Sequence, residues 1–484
     1  MKTHISIITG VEYNMAFNLV VVLTKNYAIR YADRIPWDSK QFVDYFDNLT
    51  KDGIIVMGRK TFEGLPLTMR PIKGRLNVVL STEYPKYQDL SKPELAFTNI
   101  NFLDNKIIPE NNNKDIWVVG GRQVYEALSN RCTNIYIILL DKSVANPDLL
   151  FVDVLPHFEL VDYSKTYVSD TEQCNCRILK YTRNFDSPSM RNENQYLVDL
   201  RRILETGTSR DDRTGVGTIS LFGGQQKYDV SKYLPLLTTK FVPLRIIIKE
   251  LLWFLRGHTD AKILQSEGVH IWDGNSSREF LDKRGLIHYE VGELGPIYSH
   301  QWRHFGAEYT NCHADYEGKG FDQIKYILDL LVNDPFSRRI IMSSWNPADL
   351  EQMALPPCHV MFQLYVEEDP STGKRYVSGH LYQRSSDYFL AANYNLVSYT
   401  ILLYILAKKV GYYPKDMIMS FGDIHIYKNH IEQVKLQLAR NPRPQPMLIL
   451  SDVIKDKSWN DITVDDFELI GYMPYPAIKA EMAV

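Results

Sequence analysis

The sequence predicts two domains, an N-terminal α/β sheet with flanking helices and a C-terminal α+β domain. Three observations carry this. At 484 residues the chain exceeds what one hydrophobic core usually serves. Its first part alternates short β-branched runs with helical patterns, whereas the later part mixes long amphipathic helices with strands. Between them, residues 184–194 are polar, contain one proline and show no apolar period, as a linker does. The expected division is therefore 1–183, a linker over 184–194, and 195–484.

In the first domain the apolar runs at 17–23, 54–57, 76–80, 116–119 and 135–140 have strand length. A sheet built with helices between its strands binds ligand at the strand ends. Asn111-Asn112-Asn113 is a polar loop ahead of the fourth run. After the linker, Tyr196, Leu197, Leu200, Ile203 and Leu204 recur at helical spacing until Gly207 ends the helix. Pro243 opens another helix, with Ile246, Ile247, Glu250, Leu251 and Phe254 on one face. Residues 360–366 and 376–383 are predicted strands. The apolar stretch Leu396 to Ala407 contains Ser398, Tyr399, Thr400 and Tyr404, which marks a buried core helix rather than a membrane span.

Composition excludes several function classes. Lys plus Arg number 55 against 58 Asp plus Glu, a net charge of -3, so no global basic field exists for DNA, although local anion sites remain open. Five cysteines, at 132, 174, 176, 312 and 358, build neither a disulfide framework nor paired metal-ligand clusters. Cys174-Asn175-Cys176 has a spacing unlike zinc or redox motifs. With no signal-peptide pattern and no apolar run of membrane-spanning length, the expectation is a soluble cytoplasmic protein without a membrane partner.

Chemistry concentrates around Cys358, in Leu355-Pro356-Pro357-Cys358-His359, followed by Gln383-Arg384-Ser385-Ser386-Asp387. A thiol that attacks carbon must be ionised, and a neighbouring cation lowers its pKa from an ordinary value of about 8.5. Glu250, a carboxyl on an apolar stripe, is a candidate for a burial-raised pKa in the proton-transfer range.

From about Asn192 to Val484 these motifs closely resemble thymidylate synthase. The resemblance implies that Cys358 adds to carbon 6 of dUMP, which makes carbon 5 nucleophilic toward the methylene group of methylenetetrahydrofolate. Arg384 would lower the thiol pKa, Glu250 relay protons, His359 organise water, and Tyr298 line the site near the thiol. The dUMP phosphate would be met by Arg213 of Asp212-Arg213-Thr214-Gly215-Val216-Gly217-Thr218, by Arg384 and Ser385, and by Arg338 and Arg339 sent across a homodimer interface. Gln383 would contact dUMP, Asn395 face the base, and His425 and Tyr427 hold the sugar hydroxyl. Ile271, Trp272, Asn275 and Asp387 correspond to folate contacts, and Val484 to a C-terminal closure over folate. No metal enters this scheme. Ala391-Ala392-Asn393-Tyr394 replaces the usual Gly-x-Pro-Phe and leaves Asn393 as a competing amide. A dCMP hydroxymethylase is the alternative, although such enzymes carry Asp where Asn395 stands.

Residues 16–183 resemble dihydrofolate reductase through Ile35-Pro36-Trp37, Met57-Gly58-Arg59-Lys60-Thr61-Phe62, Arg70-Pro71-Ile72-Lys73-Gly74-Arg75 and Val118-Val119-Gly120-Gly121. This implies NADPH bound by Arg59, Lys60, Thr61, Ser81, Gly120, Gly121 and Val124, with Arg75 clamping the folate glutamate. Three departures accompany it. The acid that protonates the pterin falls on Phe42, its supporting threonine near Ile138, and the loop Ala28-Ile29-Arg30-Tyr31-Ala32-Asp33 lacks the usual glycines. The expectation is a weak or inactive reductase, kept for NADPH binding, folate handling or support of a synthase dimer. In the alternative alignment Asp38 or Asp44 supplies the acid. Together the resemblances imply a bifunctional dihydrofolate reductase-thymidylate synthase.

Overall fold

The computed structural model describes residues 5–6, 12–13, 15–31, 40–82, 95–212 and 214–481. Two compact units divide between Ser187 and Pro188.

In the first unit the strand Phe17–Thr24 is buried along its whole length. It lies between two parallel neighbours, Ile116–Gly120 and Asn134–Leu140, and a strand covered on both faces reads as a continuous apolar run. Ile54–Gly58, Leu76–Leu80 and Leu95–Thr98 continue the parallel part. The opposite edge is antiparallel, with Asn175–Arg183 on Asn134–Leu140 and Phe158–Tyr163 beyond it. The five predicted strands are present within a residue of their expected limits. Leu95–Thr98 and the antiparallel edge were not anticipated, because edge strands alternate in burial and lack a sustained apolar run.

The helix Lys40–Leu49 turns Phe42 and Phe46 inward. Phe42 packs in one cluster with Val22, Ile138, Leu140 and Cys176. The two apolar residues standing where an acid and a threonine were sought are thus partners in a dry core.

The second unit is built on a six-stranded sheet in the order Thr208–Arg210, Thr218–Asp229, Tyr413–Tyr427, Arg375–Asp387, His359–Glu368, Ile341–Ser343. Its neighbours are antiparallel except Arg375–Asp387 with Tyr413–Tyr427. That parallel pair needs a long crossover, supplied by the buried helix Ala392–Val410. Gly411, at φ 76°, takes the left-handed conformation that ends this helix. Helices Leu244–Leu255 and Tyr298–His304 pack beside it, and Phe254, Trp302 and Tyr399 interlock with ring centroids 5.5 and 5.8 Å apart.

One expectation is corrected here. The polar segment 184–194 is no linker beyond Ser187, since a helix runs over Pro188–Thr206. Asn192 and Glu193 in it are buried and satisfy neighbouring loops: Asn192 Nδ2 donates to the Asp229 carbonyl at 2.8 Å, and the Glu193 carboxylate accepts from the Thr238 and Thr239 amides at 2.9 and 2.8 Å. Polar composition therefore concealed a helix whose polar groups find their partners only in the folded chain.

On the other face of the sheet, Tyr365, Tyr382 and Phe222 stand 63%, 37% and 86% exposed, while Phe362, Leu364 and Val366 point into the core.

Candidate active site

Cys358 sits at the entrance to the strand His359–Glu368, half-buried and outside any disulfide. The Pro356-Pro357 run ahead of it leaves carbonyls without a ladder role, and Arg384 from the next strand takes both: Nε donates to Pro357 O at 2.7 Å and Nη2 to Pro356 O at 2.9 Å. The same Nη2 lies 3.9 Å from Cys358 Sγ. A guanidinium fixed by two carbonyls beside a sulfur favours the thiolate. Trp345 lies under this guanidinium, 5.4 Å from ring centroid to Cζ, a contact not anticipated from sequence.

Tyr298, at the first turn of its helix, accepts the Cys358 backbone N–H at 2.7 Å and stacks on His359 at 4.6 Å. Burial pushes the His359 imidazole down to about 4; the Asn395 side chain opposes this shift and Arg384 adds to it. His359 is therefore neutral near pH 7, and its Nδ1 is buried without a partner. Gln383, opposite His359 in the ladder, is fully buried with both side-chain atoms unpartnered, as is the Ser386 hydroxyl. Orphaned amides of this kind cost about 1–3 kcal/mol each, which suits groups shaped to meet a polar ligand.

The two asparagines differ in packing. Asn393 donates to Pro235 O at 2.8 Å and accepts from Leu237 N at 3.3 Å, so its amide ties down a loop. Asn395, two residues on and so on a different side of the helix, faces His359 instead. Asp387 accepts from the Phe389 and Leu390 amides at 3.1 and 3.0 Å and shapes the turn into the helix.

Glu250 lies on the helix Leu244–Leu255, and Trp272 Nε1 donates to its Oε1 at 2.8 Å. Burial pushes this carboxyl up to about 7 while the indole bond pulls it down. Trp272 is itself buried, with Ile271 and Asn275 beside it in sequence and both half-buried. The parallel register sets Ser385 level with Asp423 and Asp387 level with His425. His425 Nδ1 is 2.7 Å from Asp423, and its ring meets Tyr427 edge to face at 5.3 Å.

Other sequence candidates are placed elsewhere. Arg338 and Arg339 lie on an exposed turn, without an ion-pair partner among the described residues. Arg213 and Val484 lie outside the described residues, as do Trp37 and Asp38. Near the C-terminus, the Glu481 carbonyl is held by His430 Nε2 at 2.7 Å.

In the first unit, Arg59, Lys60, Thr61, Ser81, Gly120, Gly121 and Val124 all line one cavity of about 830 Å³ at the ends of the parallel strands. Sequence reasoning missed Arg30 and Arg122, which join Arg59 and Lys60 on its wall. Four cations and no carboxylate among the described lining residues make this an anion cavity. A side chain at Gly121 would press on the Thr61 hydroxyl at 3.2 Å, so glycine keeps the wall open. Arg75, expected at the folate glutamate, already donates from Nε to Thr50, from Nη1 to Lys73 O and from Nη2 to Asp47 O. Asp44 is exposed, which removes it as a buried proton donor.

Fold and site together define a class: a thiol-centred α+β enzyme unit joined to an α/β unit with a cation-lined, anion-binding cavity of dinucleotide size. The thymidylate synthase family model matches residues 194–484 and the dihydrofolate reductase model residues 16–183. The bifunctional dihydrofolate reductase-thymidylate synthase of Paramecium tetraurelia is 39% identical over 476 residues, covering 97% of this chain and 99% of that protein. Its counterpart in Leishmania major is 38% identical over 506 residues, covering 97% and 95%. The thymidylate synthase of Human herpesvirus 8 type P (isolate GK18) is 53% identical over 293 residues, 60% of this chain and 84% of that protein. The chain belongs to the bifunctional dihydrofolate reductase-thymidylate synthase family, a thymidylate synthase fused to a dihydrofolate reductase domain. Neither a dCMP hydroxymethylase nor a purely noncatalytic first domain is favoured by these likenesses.

Proposed function

We propose that Cys358 is the nucleophile that converts dUMP and methylenetetrahydrofolate to dTMP and dihydrofolate. The observation that carries this is the Arg384 guanidinium, fixed on two carbonyls and 3.9 Å from the sulfur. The thiolate adds to carbon 6 of the pyrimidine, and carbon 5 then attacks the methylene carbon of the folate. Asn395 reads the base, Gln383 contacts dUMP, His359 stays neutral to order water, and Glu250, poised near 7, relays protons. His425 and Tyr427 hold the sugar hydroxyl. Ile271, Trp272, Asn275 and Asp387 meet the folate, and Val484 closes over it. Substituting Cys358 by Ser tests the assignment: dihydrofolate formation should fall by roughly 10⁴-fold or more while dUMP still binds. Retained turnover would remove Cys358 from the role.

The phosphate site is completed in a homodimer, by Arg213 from the same chain and by Arg338 and Arg339 of a second copy. Exposed Tyr365, Tyr382 and Phe222 on the open sheet face support this, since a second copy would cover them. Among the described residues no helix is long and apolar enough to cross a membrane, and we place the protein in the cytoplasm without a DNA partner.

The first unit binds NADPH in its anion cavity, with Arg59 at the 2′-phosphate. Its reductase turnover is weak or lost, an assignment that one observation favours: Phe42 is 1% exposed in a cluster with Ile138. An aromatic ring there neither donates a proton nor holds a pterin by a charged hydrogen bond. NADPH oxidation on addition of dihydrofolate is the test, and rapid oxidation would overturn it.

A further inference from the structure

We propose that Asp260, Cys312 and His313 form a binding site for a soft divalent cation of the zinc class, outside the synthase chemistry. One ligand atom from each, a carboxylate oxygen, a thiol sulfur and a ring nitrogen, lie within 4.8 Å of one another. Carboxylate, thiolate and imidazole are the donors zinc takes in tetrahedral sites, and its bond lengths of about 2.0–2.3 Å set those donors roughly 3.3–3.8 Å apart. Small side-chain rotations close the remaining gap.

The surroundings are prepared for positive charge. Glu293, 3% exposed, accepts the Cys312 N–H at 3.1 Å and the Tyr309 hydroxyl at 3.0 Å, which orders the Cys312 segment. Glu290 Oε1 lies 3.5 Å from His313 Nε2. Two carboxylates lie against one lysine here: Lys262 Nζ is 3.2 Å from Glu290 Oε2, and the Lys262 backbone N–H caps on Asp260 Oδ1 at 2.9 Å. Asp260 keeps its second oxygen for a metal. The segments are rigidly joined, since Asp260 pairs with Glu293 in an antiparallel bridge and Ala261 N donates to Gly292 O at 2.8 Å. Binding releases the thiol proton to solvent and ties the 309–316 loop to the segments at 260 and 290.

The test is titration of the chelator-treated full-length protein with cobalt chloride, then zinc chloride. One equivalent of cobalt should give a thiolate-to-cobalt charge-transfer band and tetrahedral visible bands, both erased by zinc. Cys358→Ser should keep these bands and Cys312→Ser should lose them, which separates this thiol from the catalytic one. His313→Ala, at an exposed position, should weaken cobalt binding at least about tenfold and decides the matter if the Cys312 variant misfolds. Bands that survive both Cys312→Ser and His313→Ala, that vanish in Cys358→Ser, or that never form would overturn the site.

Discussion

The Trp272 indole donates to Glu250 at 2.8 Å, so a residue expected to meet folate also sets the acidity of the carboxyl proposed as proton relay. Because that bond favours the ionised carboxylate, Trp272→Phe should move the Glu250 inflection in the kcat–pH profile upward from about 7. An unmoved inflection would detach Glu250 from the profile. Glu250→Gln should lower kcat by roughly 10²–10⁴-fold. It should also stabilise the ligand-free protein above pH 7. The folded carboxyl holds its proton until about 7, whereas the unfolded one loses it near 4.5, so this group's contribution falls across that window as pH rises.

Lys240 shows the opposite sign. Its ammonium is buried over the Phe389 ring at 3.8 Å and donates to the Phe389 carbonyl, and burial pushes it down to about 7. Between about 7 and 10.5 the unfolded chain binds the extra proton, so this group favours unfolding most at neutral pH, and stability rises with pH across the window. The slope of Tm against pH in that range should be flatter in Lys240→Met than in the parent.

Asn393 and Asn395 should fail in different ways. Asn395→Asp is expected to shift preference from dUMP toward dCMP, read as a change in the ratio of kcat/KM values. Asn393→Asp removes the donor to Pro235 O and should cost about 1–3 kcal/mol in urea unfolding with little change in base preference. If the two phenotypes are exchanged, the assignment of the reading amide is wrong.

A shared active site predicts complementation. Cys358→Ser and Arg338→Ala homodimers should each be nearly inactive. After mixing and subunit exchange, about half of the dimers are hybrids with one intact site, which returns about a quarter of wild-type activity. No recovery would place Arg338 outside the partner's site.

In the first unit, Asp44→Asn should leave any reductase activity unchanged, since its carboxyl faces solvent. Arg59→Ala should weaken NADPH binding by about 1.5–3 kcal/mol, measured by fluorescence titration. The double change Phe42→Asp with Ile138→Thr should raise dihydrofolate reduction above the parent; no gain would show that more than the acid is missing.

By itself the sequence determined the two-unit plan, the buried parallel strands and the motif cluster around Cys358. Each is carried by a contiguous pattern, either a strand-length apolar run or a short string of chemically matched residues. Tertiary structure decided the rest, because it depends on which groups find partners. A polar stretch became the helix Pro188–Thr206 once Asn192 and Glu193 met a distant loop. Of two near-identical asparagines, Pro235 and Leu237 captured one and left the other facing His359. Phe42 and Ile138, nearly a hundred residues apart, proved to share one dry cluster, and Asp260, Cys312 and His313 came together from two separate segments. Hydrogen bonds and packing of this range have no local signature, since the desolvation they offset arises only when the chain closes on itself.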